Sequence, residues 1–424
     1  MMQSSAVGLA ALVLASCLLL SGKAATTTAA NSRTLTQSLT SSINLNTSDT
    51  PVTINATTAG KFVRFLVVGD WGRTADTASL NQPQCSLTDF GGDNGLLGGI
   101  QQAETALEMD RVCQYVGGCQ FVVGTGDNFY ECGVYPGDTT GRLYSDWIDI
   151  YKNPVKTPTI ANLTWYNVFG NHDMAINGSV EQEIAFTNST PGWQIPSNYF
   201  LKDFDINGVT MRGIFVDSNP FIIKYNGSAK YYRQYFIDHS NPSYINQQQQ
   251  FINQAMKSST AMWTFVVSHY PLFGTATNYG NDAGAFPGQF NGWSMLLDSI
   301  NQYKPVAYLN GHDHSLSLGV PPANKTNGYT QYYTSGAGSI GSQTDSCAER
   351  ANYAYSNGGN GGFVLVTVNA TVWQADYYTL GSNFPQCTVK SSVNTATPAT
   401  YSPGCALGLS NTCCNGTNAK ACTT

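Results

Sequence analysis

The sequence predicts an α/β fold built as a layered sandwich. Three observations carry that prediction. Short apolar runs rich in Val and Phe alternate with helical patterns in β-α-β order. The runs are continuous rather than alternating, as strands covered on both faces require. Five of them end in tight turns that carry Asp, Asn or His, and ligands in such folds gather beyond the carboxyl ends of strands.

Taken in order, the run 62–68 leads into Gly69-Asp70-Trp71-Gly72 and 121–123 into Gly126-Asp127-Asn128-Phe129-Tyr130. The run 165–169 leads into Gly170-Asn171-His172-Asp173, 263–267 into Ser268-His269-Tyr270-Pro271, and 306–309 into Gly311-His312-Asp313-His314. Further strands are expected at 211–216, 363–368 and 371–378, and helices at 99–115, 244–256 and 293–303.

The remaining composition bounds the chain's class. An apolar run over 6–20 has the length of a signal-peptide core and is too short to cross a bilayer. Small residues at Gly22 and Ala24 place cleavage after Ala24. Leu14-Ala15-Ser16-Cys17 also resembles a bacterial lipobox, but 18–20 continue the apolar core past the cysteine. No later run is long enough for a transmembrane helix. Residues 25–59, rich in Thr, Ser, Asn and Ala, read as a leader. A catalytic domain is expected over 60–384 and a Cys-rich tail over 385–424.

Nine Asn-x-Ser/Thr sequons point to secretion, to the extracellular space or a lysosome- or vacuole-like compartment. Of eleven cysteines, ten remain once Cys17 is removed, five before residue 380 and five in the tail. Pairing is expected in an oxidising compartment, and two odd groups require a bridge between core and tail. The formal charge is −6, with 11% of residues charged and no basic run, which argues against nucleic-acid or membrane-surface binding.

Only five histidines occur, and four of them (His172, His269, His312, His314) lie in the turn motifs. With Asp70 and Asp127 they form a mixed nitrogen and oxygen set suited to Fe, Zn or Mn. Asn171 adds a neutral carbonyl oxygen and Tyr130 a phenolate. The two-residue spacing of His312 and His314 puts both on one face of an extended segment. Taken singly, Gly-Asp-Trp-Gly is an ordinary turn, Ser-His-Tyr-Pro a strand end and Tyr130 a core aromatic. Five such pieces in this order, all at strand ends, read as one metal site.

These motifs resemble those of the metallophosphoesterases, and specifically the purple acid phosphatases, because Tyr130 closes the Gly126–Tyr130 piece. Gly192-Trp193, Asn198-Tyr199-Phe200 and Ala307-Tyr308-Leu309 are similar to the small, tartrate-resistant (type 5) branch. The resemblance covers roughly 61–380 and implies the calcineurin-like metallophosphoesterase fold, a two-layer β-sheet sandwich flanked by helices. It also implies a ferric ion on Asp70, Tyr130 and His314, a divalent ion (Fe, Zn or Mn) on Asn171, His269 and His312, and Asp127 bridging them. Hydrolysis of small phosphate monoesters or phosphoproteins by metal-hydroxide attack would follow, with His172 as the outer acid. A ferric ion acidifies bound water more than a divalent ion does, which accounts for an acid optimum. The animal enzymes of that branch carry a second catalytic histidine at the position that ungapped counting gives to Asn278 here, so acid catalysis is expected to rest on His172, with solvent or Asp282 as the second candidate. Two other readings stay open: a phosphodiesterase or nucleotide hydrolase of the same superfamily, and a secreted glycoprotein without catalysis.

Overall fold

The computed structural model describes residues 62–73, 101–130, 132–137, 141–221, 238–239, 241–273, 293–319, 327–341 and 353–405. The signal segment and leader, Asn278, Asp282 and the tail beyond 405 lie outside these residues.

Two sheets form the body. The first orders its strands β15-β14-β13-β12-β1-β2-β3-β4, and the second β11-β9-β10-β8-β7-β6-β5. In the first, β1 (Val63–Val68), β2 (Phe121–Gly124), β3 (Thr164–Asn167) and β4 (Trp193–Gln194) are parallel. β12 (Gly362–Val368), β13 (Val372–Thr379), β14 (Cys387–Ser392) and β15 (Thr400–Tyr401) add an antiparallel half. In the second, β6 (Val209–Phe215), β7 (Trp263–Val267), β8 (Ala307–Asn310) and β10 (Gln331–Ser335) are parallel. β5 (Phe200–Ile206), β9 (Leu316–Gly319) and β11 (Tyr353–Asn357) run antiparallel to their neighbours.

Side-chain alternation makes the layers. Val63, Phe65 and Val67 of β1 enter one core with Phe265 and Val267 of β7 and Val364 and Val366 of β12. Leu66 and Val68 point the other way, into a second core. Against that outer face pack α1 (Gln102–Tyr115), a helical stretch over 141–151 and α2 (Ser179–Ser189), through Met109, Trp147 and Phe186. The outer face of the other sheet carries α3 (Pro242–Lys257) and α4 (Trp293–Tyr303), through Ile252, Met256, Leu296 and Ile300. The expected sandwich flanked by helices is therefore present.

Local chemistry sets the helix ends. Asn241 caps α3 by accepting the Tyr244 N–H at 2.9 Å, and Pro242 occupies the first turn, where no donor is needed. α1 stops at Gly117 and Gly118, both at positive φ, and the Cys113–Cys119 disulfide closes its last turn.

The boundary expected at 384 falls inside the first sheet. β14 pairs with β13 over six registers, and Cys387 bonds Cys405. Residues 387–401 thus extend the sheet. Cys132 is also disulfide-bonded. The expected bridge between core and tail would involve cysteines that lie outside the described residues.

Candidate metal centre

Each motif sits where a parallel strand stops. Asp70 follows β1, Asp127 follows β2, Asn171 and His172 follow β3, His269 follows β7, and His312 and His314 follow β8. Both sheets therefore feed one site. Asp70, Asp127 and His312 hold φ of 59°, 52° and 67°, in the left-handed region. Such backbone costs about 1–3 kcal/mol per residue and persists only where the surroundings enforce it. Here each loop fastens the next. The His312 N–H donates to Asp70 Oδ2 at 2.8 Å, the His172 N–H to Asp127 Oδ1 at 2.9 Å, and the Asp70 N–H to the Gly126 carbonyl at 2.9 Å. Gly170 and Gly311 leave room for this, since a Cβ on either would strike the Asp127 or Asp70 carboxylate.

The side chains converge in two clusters. In the first, the Tyr130 hydroxyl lies 3.0 Å from Asp70 Oδ1, 2.9 Å from Asp127 Oδ2 and 2.9 Å from His314 Nε2. In the second, Asn171 Oδ1 lies 3.0 Å from both His269 Nε2 and His312 Nδ1, which are 3.2 Å apart. Asp127 belongs to both clusters. Its Oδ2 faces Tyr130, and its Oδ1 lies 3.4 Å from His269 Nε2. All seven ligands read from the sequence are brought together and all are buried.

The donor set suits metal ions. His269 Nδ1 lies 2.9 Å from the Thr125 carbonyl, which can only accept, so this nitrogen carries the proton and Nε2 is left as the ligand atom. Three donors about 3 Å apart lie about 1.8 Å from their common centre, a spacing that would suit an ion with bonds of roughly 2.0–2.2 Å. Burial raises the Asp70 carboxyl above the usual range. Burial acts the same way on Asp127, but His269 and His172 outweigh it and hold that carboxyl well below. Burial opposes the charge on His269, yet the adjoining Asp127 lifts it to about 9, while burial and the neighbouring His269 push His312 well below its ordinary value. Carboxylates and imidazoles packed so closely perturb one another's protonation, a conflict that bound cations would relieve.

One expectation is corrected. His312 and His314 do not share a face of an extended segment. The chain turns at His312, and the two rings part, one to each cluster. The His172 ring joins neither cluster; it is half-buried and packs 4.3 Å from the Tyr130 ring.

Several supporting residues were not read from the sequence. The Arg73 guanidinium lies 4.2 Å from the Tyr130 ring centroid. Its place three residues after Asp70 was the available signal. Arg142, buried and paired with Asp146 at 2.7 Å, donates to the Tyr130 carbonyl. Asp173 accepts backbone N–H groups from two ligand loops. Arg142 has no spacing signature, whereas Asp173 stands inside the Gly170–Asp173 motif, where nothing local shows what its carboxyl holds.

The family profile of the calcineurin-like phosphoesterases matches residues 63–316. Purple acid phosphatase 7 of Arabidopsis thaliana is 29% identical over 65% of this chain and 70% of its own length. Tartrate-resistant acid phosphatase type 5 of Rattus norvegicus is 24% identical over 68% and 76%. Among solved structures, the purple acid phosphatase from yellow lupin (Lupinus luteus) seeds is similar with TM-score 0.51, 14% identity and coverage of 78% and 54%. The Plasmodium inner-membrane-complex anchor GAP50 is similar with TM-score 0.57, 14% identity and coverage of 79% and 93%; at this identity both likenesses concern the fold. With a profile match spanning the strands and turns that build both clusters, the chain belongs to the calcineurin-like phosphoesterase family.

Proposed function

We propose that the protein is a secreted acid phosphatase that hydrolyses phosphate monoesters at a dinuclear Fe(III)–M(II) centre. The observation that carries this reading is Asp127, whose two oxygens face two separate donor clusters. The cluster with Tyr130, Asp70 and His314 suits the harder ferric ion. The cluster with Asn171, His269 and His312 suits Fe(II), Zn(II) or Mn(II). Two bound ions would supply Lewis acidity and an activated water for attack on phosphorus.

The chain's own residues then have distinct tasks. Asp127 fixes the spacing of the clusters. The Thr125 carbonyl keeps the proton of His269 on Nδ1, away from the ligand atom. His172, held by its N–H to Asp127 and packed beside Tyr130, is the proton donor to the leaving oxygen. His172→Ala should therefore lower kcat for phenyl phosphate about 10²-fold more than for p-nitrophenyl phosphate, whose leaving group needs little protonation. Equal losses on the two substrates would remove His172 from the acid role.

Exposed sequon asparagines at Asn162, Asn177 and Asn188, together with the disulfides, support secretion. Among the described residues no helix is long and apolar enough to cross a membrane. The domain reading is a signal segment over 1–24, a leader over 25–59 and a catalytic unit from 60 that runs past 384.

A metal inventory with a visible spectrum tests the function. Purified protein should contain iron and a second metal, absorb in the visible through Tyr130 and lose that band in Tyr130→Phe. It should also turn over p-nitrophenyl phosphate far faster than its bis(p-nitrophenyl) diester. A folded protein that stays colourless and iron-free after reconstitution overturns the reading.

A further inference from the structure

Asp173 closes the Gly170–Asp173 motif yet belongs to neither donor cluster. It is wholly buried, and its two oxygens serve different loops. Oδ1 accepts the N–H groups of Asn128 at 2.7 Å and Phe129 at 3.0 Å, in the loop that carries Asp127 and Tyr130. Oδ2 accepts the N–H of Gly170 at 2.7 Å, directly before Asn171. Asn128 is itself locked, its Nδ2 donating to the Val168 carbonyl at 2.9 Å and to Glu183 Oε2 at 3.1 Å. Glu183 comes from α2 and is also wholly buried.

We propose that Asp173 is a positioning residue of the metal centre: by tying the loop after β2 to the loop after β3, it sets the distance between Asp127 and Asn171. The inference rests on the metal reading above.

The two loops also touch through the His172 N–H on Asp127 Oδ1, the Asn128 amide on the Val168 carbonyl and the packed Tyr130 and His172 rings, and Asp173 adds three backbone bonds from a single side chain. Gly126, Gly170 and the left-handed Asp127 give the backbone freedom that must be removed elsewhere. A carboxyl group that accepts three N–H groups from the two loops removes it. Metal ligation tolerates little drift: His269 Nε2 sits 3.0 Å from Asn171 Oδ1 and 3.4 Å from Asp127 Oδ1, so sliding either loop spoils one of the two spacings. Loss of comparable supporting partners lowers metal affinity by about 10–100-fold.

Asp173→Asn separates this role from simple filling of space. The volume is unchanged, but an amide has one acceptor oxygen, so its NH2 group must face either Gly170 N–H or the Asn128 and Phe129 pair. Glu183→Gln is the control. It keeps the volume, an acceptor for Asn128 and a donor for the hydrogen bond that Glu183 makes to the Asp173 side chain, and leaves all three backbone bonds to Asp173 in place.

The full chain would be stripped of metal and titrated with Zn(II) in competition with a chromophoric chelator. Co(II) would then be substituted and its d–d bands recorded. Expected are wild-type far-UV circular dichroism for both variants and Zn(II) binding weakened at least ~10-fold in D173N. D173N should also shift the Co(II) bands, whereas E183Q should match the wild type in both measurements. A smaller loss in D173N, unshifted Co(II) bands or an equal loss in E183Q overturns the proposal. Should D173N not fold, Asp173→Glu, which keeps the charge but pushes the acceptors out of register, carries the same expectation. Failure of both to fold makes Asp173 structural and also overturns it. Wild-type protein that takes up no Zn(II) refutes the metal reading itself, before any variant is compared.

Discussion

Asp127→Asn should leave a folded protein whose kcat/KM for p-nitrophenyl phosphate is lower by about 10³-fold or more, with metal content down at both clusters. The backbone gives little reason for collapse. Asp127 lies at φ 52°, and asparagine tolerates the left-handed region as well as aspartate does. The substitution keeps the shape and removes the charge. One oxygen would become an NH2 group aimed either at the Tyr130 hydroxyl, 2.9 Å away, or at His269 Nε2, 3.4 Å away, so at least one cluster loses a donor. A shared carboxylate is also the charge that lets two cations lie side by side. Losing about 4 kcal/mol of transition-state stabilisation corresponds to the stated factor. Kinetics together with elemental analysis on the same preparation give the answer. A variant that keeps both ions and a tenth of the activity would show that Asp127 is not shared.

The second large effect is that of pH on the metal-free protein. Asp127 lifts His269 from 6.5 to about 9, and His269 and His172 hold Asp127 below its usual 3.8. The signs follow directly. A raised histidine stabilises the fold fully below pH 6.5, and that contribution fades as pH rises through about 9. A depressed carboxylate stabilises the fold above pH 3.8, and that contribution fades as pH falls. Metal-free protein should therefore gain most from this pair between roughly pH 4 and 6.5, and its melting temperature should decline toward pH 9. Ligation requires an unprotonated His269 Nε2, so Zn(II) uptake near pH 7 should release a proton, and affinity should climb by about tenfold per pH unit toward 9. Calorimetry in two buffers of different ionisation enthalpy counts that proton. Uptake without proton release at pH 7 would contradict the geometry around Asp127.

Much of this architecture was legible because its signals are local. The runs before Asp70, Asp127, Asn171, His269 and His312 are apolar, short and stopped by small residues, so both strand and turn could be read. What escaped depends on contacts far along the chain. β10 is Gln331–Ser335, a polar sequence buried at every position, and no hydropathy pattern reveals it. β14 and β15 hid in a Thr- and Ser-rich stretch whose order comes from pairing with β13 and from the Cys387–Cys405 bond. The parting of His312 and His314 depends on an N–H bond to Asp70, 242 residues earlier. The bonds of Asp173 and Arg142 are likewise tertiary facts.

The division of labour between the sheets has a final consequence. Every oxygen donor (Asp70, Asp127, Tyr130, Asn171) follows a strand of the first sheet, and every imidazole (His269, His312, His314) follows a strand of the second. Each cluster mixes both kinds, so neither layer owns a complete coordination sphere. The metal pair would act as a rivet through the sandwich, and prising the layers apart would strip donors from both spheres at once. Discharge of the ions would then report loss of the whole body, while fraying at β4, β5 or β15 would pass unregistered.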